Sequence, residues 1–223
     1  TLTKTGNATF SATEAIVMPV QNIDSETTTD KKKVDLVMFM GQSNMAGRGV
    51  ASESIVVGEG HGYEYRAISD PTKLYPVVEP FGVSEYHPTS GVSETTKTGS
   101  LVSAFIEGYY ESRQVPIVGV SCSKGGTASS FWMPDGKPLN DAIARHNSAK
   151  DWLEENGYII EHDYMVWLQG ESDGGQNVSS EQYASNLTAI IEEMIAKTNI
   201  EFCAIIRIGH AKTNPNRHKD IIY

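Results

Sequence analysis

In "DLVMFMGQSNMAGRG", residues 35–49, an apolar run gives way to a glycine, a glutamine and then one serine, Ser43. A hydroxyl at the end of a strand becomes a nucleophile when a base takes its proton and donors meet the oxyanion that develops. Three later segments carry groups of that kind: "SCSKGGTASSFW" (121–132), "WLQGESDGG" (167–175) and "RIGHAKTN" (207–214). The chemistry they suggest is acyl transfer. Ser43 would attack the acyl carbon. Its own N–H, an N–H from the Gly125-Gly126 pair and the side-chain amide of Gln169 would converge on one oxygen.

Each residue also has an ordinary reading. A serine after a strand is usually a turn residue, a glycine pair usually a loop, and a strand-end glutamine a satisfied polar group. Glu171 and Asp173 could form an acid–base pair of the glycosidase kind. Two residues of one loop are poorly placed to flank a scissile bond, so holding that loop by hydrogen bonds is the better role for them. Other motifs are absent or weak. Met45 stands where the G-x-S-x-G elbow needs its second glycine, and the Gly47/Gly49 and Gly58/Gly60 pairs lack the third glycine of a dinucleotide site.

Positioning such groups requires strands whose ends lie side by side. Val34–Met40 is apolar throughout, as in a strand buried on both faces of a parallel sheet. The same pattern recurs from Val115, from Tyr164 and from Glu201, with a weaker strand over Tyr63–Ile68 followed by a Pro-, Gly-, Ser- and Thr-rich loop to about Thr98. Between them, Leu101, Phe105 and Tyr109 recur at helical spacing, Leu139–Asn156 reads as a helix capped by Gly157, and Ser179–Lys197 as a helix opened by a Ser179/Gln182 capping box. Tyr183, Leu187, Ile190, Ile191, Met194 and Ile195 form its apolar stripe. Alternating strands and helices imply a three-layer α/β/α fold around a central parallel sheet. In such folds ligands bind outside the carboxyl ends of the strands, where all four polar segments fall.

Residues 1–33 differ: they are threonine-rich, with a short apolar run at 15–20, and read as an N-terminal extension or linker that could contribute an edge strand. The chain opens on Thr1 without a recognisable signal peptide, as a mature or trimmed chain would. A net charge of −10 and a pI near 5.0, with no basic cluster beyond "DKKKVD", make nucleic acid and anionic membranes poor partners. Two cysteines, Cys122 and Cys203, are too few for a disulfide scaffold or a zinc site.

Together "GQSNMAGRG", "GGTASSFW" and "WLQGESD" resemble the SGNH (GDSL-like) hydrolase superfamily, and within it the sialate O-acetylesterase and acetylxylan esterase branch. The likeness runs from about Val34 to the C-terminus. It implies a flavodoxin-like fold over 34–223 and a serine esterase, without metal or cofactor, acting on O-acetylated carbohydrates. Ser43 matches the nucleophile. Gly125 matches the oxyanion glycine, with Gly126 as the fallback, and Gln169 the third oxyanion donor. Trp132 would be a pocket wall. Extracellular or cell-surface polysaccharide chemistry would fit this activity.

One part of the pattern is missing. The family takes its base from a late Asp-x-x-His motif, and none of the six histidines here has an aspartate three residues before it. The expectation is a domain that lacks its C-terminal catalytic segment, since "NPNRHKDIIY" reads as a helix cut short. These 223 residues would then hydrolyse acetyl esters poorly and a longer chain well. The competing reading gives the base to His210, which follows the last strand. A third reading keeps the pocket but not the chemistry, as a carbohydrate-binding module. A lipid thioesterase is disfavoured because the loops are polar.

Overall fold

The computed structural model describes residues 31–209. The apolar run at 15–20, His210 and the terminal "NPNRHKDIIY" lie outside them. The described chain runs β1 (Lys33–Gly41), α1 (Ser43–Ala46), β2 (Gly62–Arg66), β3 (Asp70–Pro76), α2 (Val102–Arg113), β4 (Ile117–Ser123), α3 (Lys137–Glu155), β5 (Ile159–Leu168), α4 (Glu171–Gly175), α5 (Ser180–Thr198) and β6 (Phe202–Ile205).

The six strands form one sheet in the order β3-β2-β4-β1-β5-β6, parallel except for the β2–β3 pair. Strand β3 falls within the segment expected to be loop. Its sequence, "DPTKLYP", has prolines at both ends and no β-branched run, so it pairs only as an edge strand, where a missing N–H does no harm. The sheet is therefore mixed. The order of its parallel strands also departs from that of flavodoxin, because β4 intervenes between β2 and β1.

That arrangement decides the site. β1 lies between β4 and β5, with Gly41 in register with Ser123 on one side and Leu168 on the other. The loops leaving three adjacent strands thus start side by side.

Period-two alternation along β1 feeds two cores. Val34, Leu36, Met38 and Met40 face α3 and α5, with Leu139, Leu153, Ile190 and Met194. Val37 and Phe39 face α2, with Val102, Ile106 and Phe81. Each large aliphatic residue here is fully enclosed, so truncating Leu36 to alanine should cost about 2–5 kcal/mol. Helix α3 ends on Asn156 with Gly157 at φ +79°, the left-handed residue the sequence placed there. At the start of α5, Ser179 Oγ accepts from the Gln182 N–H at 3.2 Å, but the Gln182 side chain bonds Asn186 instead of completing a reciprocal box. Leu187, Ile190 and Met194 of its stripe are buried. Ile195 is exposed, lying at the edge of the face that meets the sheet.

Candidate active site

The nucleophile loop is shaped by close approach of backbone to backbone. Gly41 has φ +142°, and a Cβ there would collide with the Leu168 carbonyl, so only glycine turns the chain at this point. The Gln42 N–H then donates to that carbonyl at 3.0 Å, and Ser43 opens the short helix α1, half-buried. The buried Gln42 side chain sits beneath it. Its Nε2 lies 3.4 Å from Ser43 Oγ, and its Oε1 accepts from Gln169 Nε2 at 3.2 Å and from the Ser172 N–H at 3.0 Å. One amide group thus separates Ser43 from Gln169.

Gln169, also buried, donates its amide to three acceptors: Gln42 Oε1, the Thr127 carbonyl at 2.9 Å and Asp173 Oδ2 at 2.5 Å. Its own Oε1 has no partner among the described residues. Asp173 is fully enclosed and accepts from the Ser129 N–H at 2.8 Å and the Ser129 hydroxyl at 2.5 Å. It therefore fastens the loop after β5 to the loop after β4. Glu171 accepts from Asn44 of α1, joining the same loop to the nucleophile segment.

The glycine pair forms a tight turn anchored to β1 by a bond from the Lys124 N–H to the Gly41 carbonyl at 3.0 Å. The Gly125 N–H donates to Glu94 Oε2. Glu94 also accepts from the Thr96 N–H and lies 3.3 Å from Arg48 Nη2. Burial alone would push the Glu94 pKa up, but the Gly125 and Thr96 N–H groups and Arg48 outweigh it and hold the carboxyl below its usual range. Gly126 is exposed at φ +73°, with open space where a side chain would project.

Ser43, Gly125, Gly126, Gln169, Glu171 and Asp173 therefore gather on three neighbouring loops. The histidines do not join them. His61 is held by Glu107, His146 lies 2.7 Å from Asp163, His162 is held by Glu201 and His87 bonds Thr89. Among the described residues no histidine is bonded to Ser43, and no group of three His, Cys, Asp or Glu residues is placed to hold a metal ion. Trp132 has no exposure at all and packs edge-on against Trp167, so it belongs to the core rather than to a pocket wall. Gln42, Arg48 and Glu94 escaped the sequence reading. The glutamine preceding the serine could have been suspected. A lone acid in "GVSETTKTGS" carries no spacing signal.

A family model described as "Carbohydrate esterase, sialic acid-specific acetylesterase" matches residues 33–222. The chain belongs to this family. The match begins with β1 and takes in all three site loops, so the family's domain and the described sheet coincide. No curated protein matches in sequence. Among solved structures, a protein from Arabidopsis thaliana is similar with a TM-score of 0.61 and 19% identity, over 84% of this chain and 79% of its own. NanS is similar with a TM-score of 0.57 and 13% identity, over 86% of this chain and 73% of its own. Both similarities are similarities of fold. For a carbohydrate esterase the carboxyl ends of β1, β4 and β5 offer a hydroxyl and polar donors.

Proposed function

We propose that the protein removes O-acetyl groups from carbohydrates through an acyl-serine formed on Ser43, with residues 34–223 as the hydrolase domain. The observation that carries this reading is the Ser43–Gln42–Gln169 connection, which joins the loop after β1 to the loop after β5 beneath one hydroxyl. O-acetylated sialic acids are the substrates that the family description favours.

In the proposed reaction Ser43 Oγ bonds to the acetyl carbon as its proton passes to a base. The carbonyl electron pair moves onto oxygen, where the Ser43 N–H and an N–H of the Gly125-Gly126 turn receive it. Collapse breaks the bond between the carbonyl carbon and the sugar oxygen, that oxygen takes the proton from the base and leaves as the sugar hydroxyl, and water then hydrolyses the acetyl-serine by the same sequence. In this reading Gln169 would be the third donor. In the resting arrangement its two amide hydrogens face Gln42, Thr127 and Asp173, so it would serve the oxyanion by turning one hydrogen from one of these acceptors. The base would be a histidine beyond β6, for which His210 is the candidate in this sequence. The engagement of His61, His87, His146 and His162 elsewhere supports that placement.

Treating the protein with diisopropyl fluorophosphate and mapping the adduct tests the reading. Covalent phosphorylation of Ser43, blocked by Ser43→Ala, supports an esterase. Sugar binding without labelling or hydrolysis would instead make this a carbohydrate-binding module.

A further inference from the structure

The two loops that would carry the nucleophile and the oxyanion glycines leave different strands, and one segment crosses from one to the other. Residues 93–99 are stitched to the nucleophile loop by paired bonds between Gly49 and Gly99, at 2.8 and 3.0 Å, and by Arg48 donating to the Thr96 carbonyl. They are stitched to the β4 end by Lys97 Nζ, 3.0 Å from Ser121 Oγ and 3.1 Å from Ser123 Oγ, and by Lys124 Nζ donating to the Ser93 carbonyl at 2.5 Å. Glu94 sits at the crossing point, holding Arg48 of one loop and the Gly125 N–H of the other.

The consequence falls on the glycine pair. A carboxylate already occupies the Gly125 N–H, and the space beside the Gly125 Cα is filled by the Arg48 guanidinium and the Glu94 carboxylate. Gly126 is the reverse case: its N–H has no acceptor among the described residues, it is exposed, and nothing lies within 4 Å of its open side. We infer that Glu94 is a positioning residue that turns the Gly125 N–H away from the acyl oxygen and leaves the Gly126 N–H as the turn's oxyanion donor. This rests on the serine-esterase reading above and assigns the donor within it.

The inference separates Glu94 from a residue that merely stabilises the loop. A glutamine at 94 keeps an oxygen acceptor for the Gly125 N–H, whereas an alanine frees that N–H and lets the turn reorient. For p-nitrophenyl acetate hydrolysis, E94A should lower kcat about 10- to 100-fold with KM within about threefold, because a misaimed oxyanion donor acts on the transition state. E94Q should stay within about fivefold of the unsubstituted protein. Equal damage in both variants, or a rise in KM at unchanged kcat, would overturn the assignment.

A second measurement does not depend on turnover. In amide hydrogen-exchange NMR on the full chain, the Gly125 amide should be protected and the Gly126 amide not, with E94A abolishing the Gly125 protection. In the diisopropyl fluorophosphate adduct the Gly126 amide should shift and the Gly125 amide stay near its place. An unprotected Gly125 amide, or a shift confined to it, would refute the inference. If Ser43 fails to label at all, the esterase reading falls, while the exchange pattern still decides whether Glu94 clamps Gly125.

Discussion

Gln169 and Gln42, 127 positions apart in sequence, meet side chain to side chain at 3.2 Å, and Gln42 in turn touches the Ser43 hydroxyl. The contact exists because β1 and β5 are neighbours in register at Gly41 and Leu168. Topology alone brings the two glutamines within reach. Gln42 then supplies both an acceptor, for Gln169 and the Ser172 N–H, and a donor, toward the serine.

Replacing Gln42 by alanine should leave the Ser172 N–H without its acceptor and remove the amide that lies against the Ser43 hydroxyl, a loss of about 1–3 kcal/mol, while the two Gln169 hydrogens keep Thr127 and Asp173 as acceptors. The expected result is a thermal midpoint lower by several degrees and esterase kcat reduced more than tenfold. Differential scanning fluorimetry and initial rates on p-nitrophenyl acetate would measure both. Unchanged values would show that Gln42 only fills space.

Asp173 has the opposite balance, with structure first and chemistry second. It is wholly buried and accepts from Ser129 and Gln169. Asp173→Ala strands these donors, so urea denaturation should report a loss of about 3–5 kcal/mol, the sum of buried donors left without an acceptor at about 1–3 kcal/mol each. Asp173→Asn, which keeps one acceptor oxygen, should lose less. A midpoint that barely moves in D173A would show that the loops after β4 and β5 are held by other contacts.

Lys97 gives a pH-dependent signature. Desolvation lowers its pKa from the ordinary 10.5 to about 8, with two serine hydroxyls as its partners. Between pH 8 and 10.5 the unfolded chain holds a proton on this lysine that the folded chain has released. Stability from this group therefore rises with pH across that window, and below pH 8 its full penalty is present. Lys97→Met removes the penalty. The variant should melt higher than the unsubstituted protein at pH 7, and the gap should narrow as pH rises toward 10. A gap independent of pH would mean that the ammonium is well solvated.

Much of this was legible in the sequence, and for identifiable reasons. Val34–Met40, the strand from Tyr164 and the long helix after Ser179 announce themselves because burial on both faces or along one stripe leaves a periodic imprint. β3 left none, since an edge strand flanked by Pro71 and Pro76 buries little and obeys no alternation. Ile195 fits the helical period yet is exposed, because periodicity gives a face but not its width. At the site, Ser43, the glycine pair and Gln169 could be singled out because each ends or follows a core strand. Glu94 could not, because its importance comes from a long-range contact with Gly125 and Arg48 rather than from its neighbours in sequence.

A histidine base imposes its own dependence on pH. It must be neutral to accept the serine proton, so kcat/KM should fall as pH drops through about 6.5, the ordinary histidine value. A flat profile from pH 5 to 8 would argue against any histidine in that role.

The central claim is that Ser43 forms the covalent bond. Intact-mass spectrometry and peptide mapping after exposure to diisopropyl fluorophosphate test it most directly. The account predicts one phosphoryl adduct on the peptide that contains Ser43, together with loss of acetyl-ester hydrolysis in proportion to labelling. Hydrolysis that survives in Ser43→Ala, or an adduct on another residue, would contradict it.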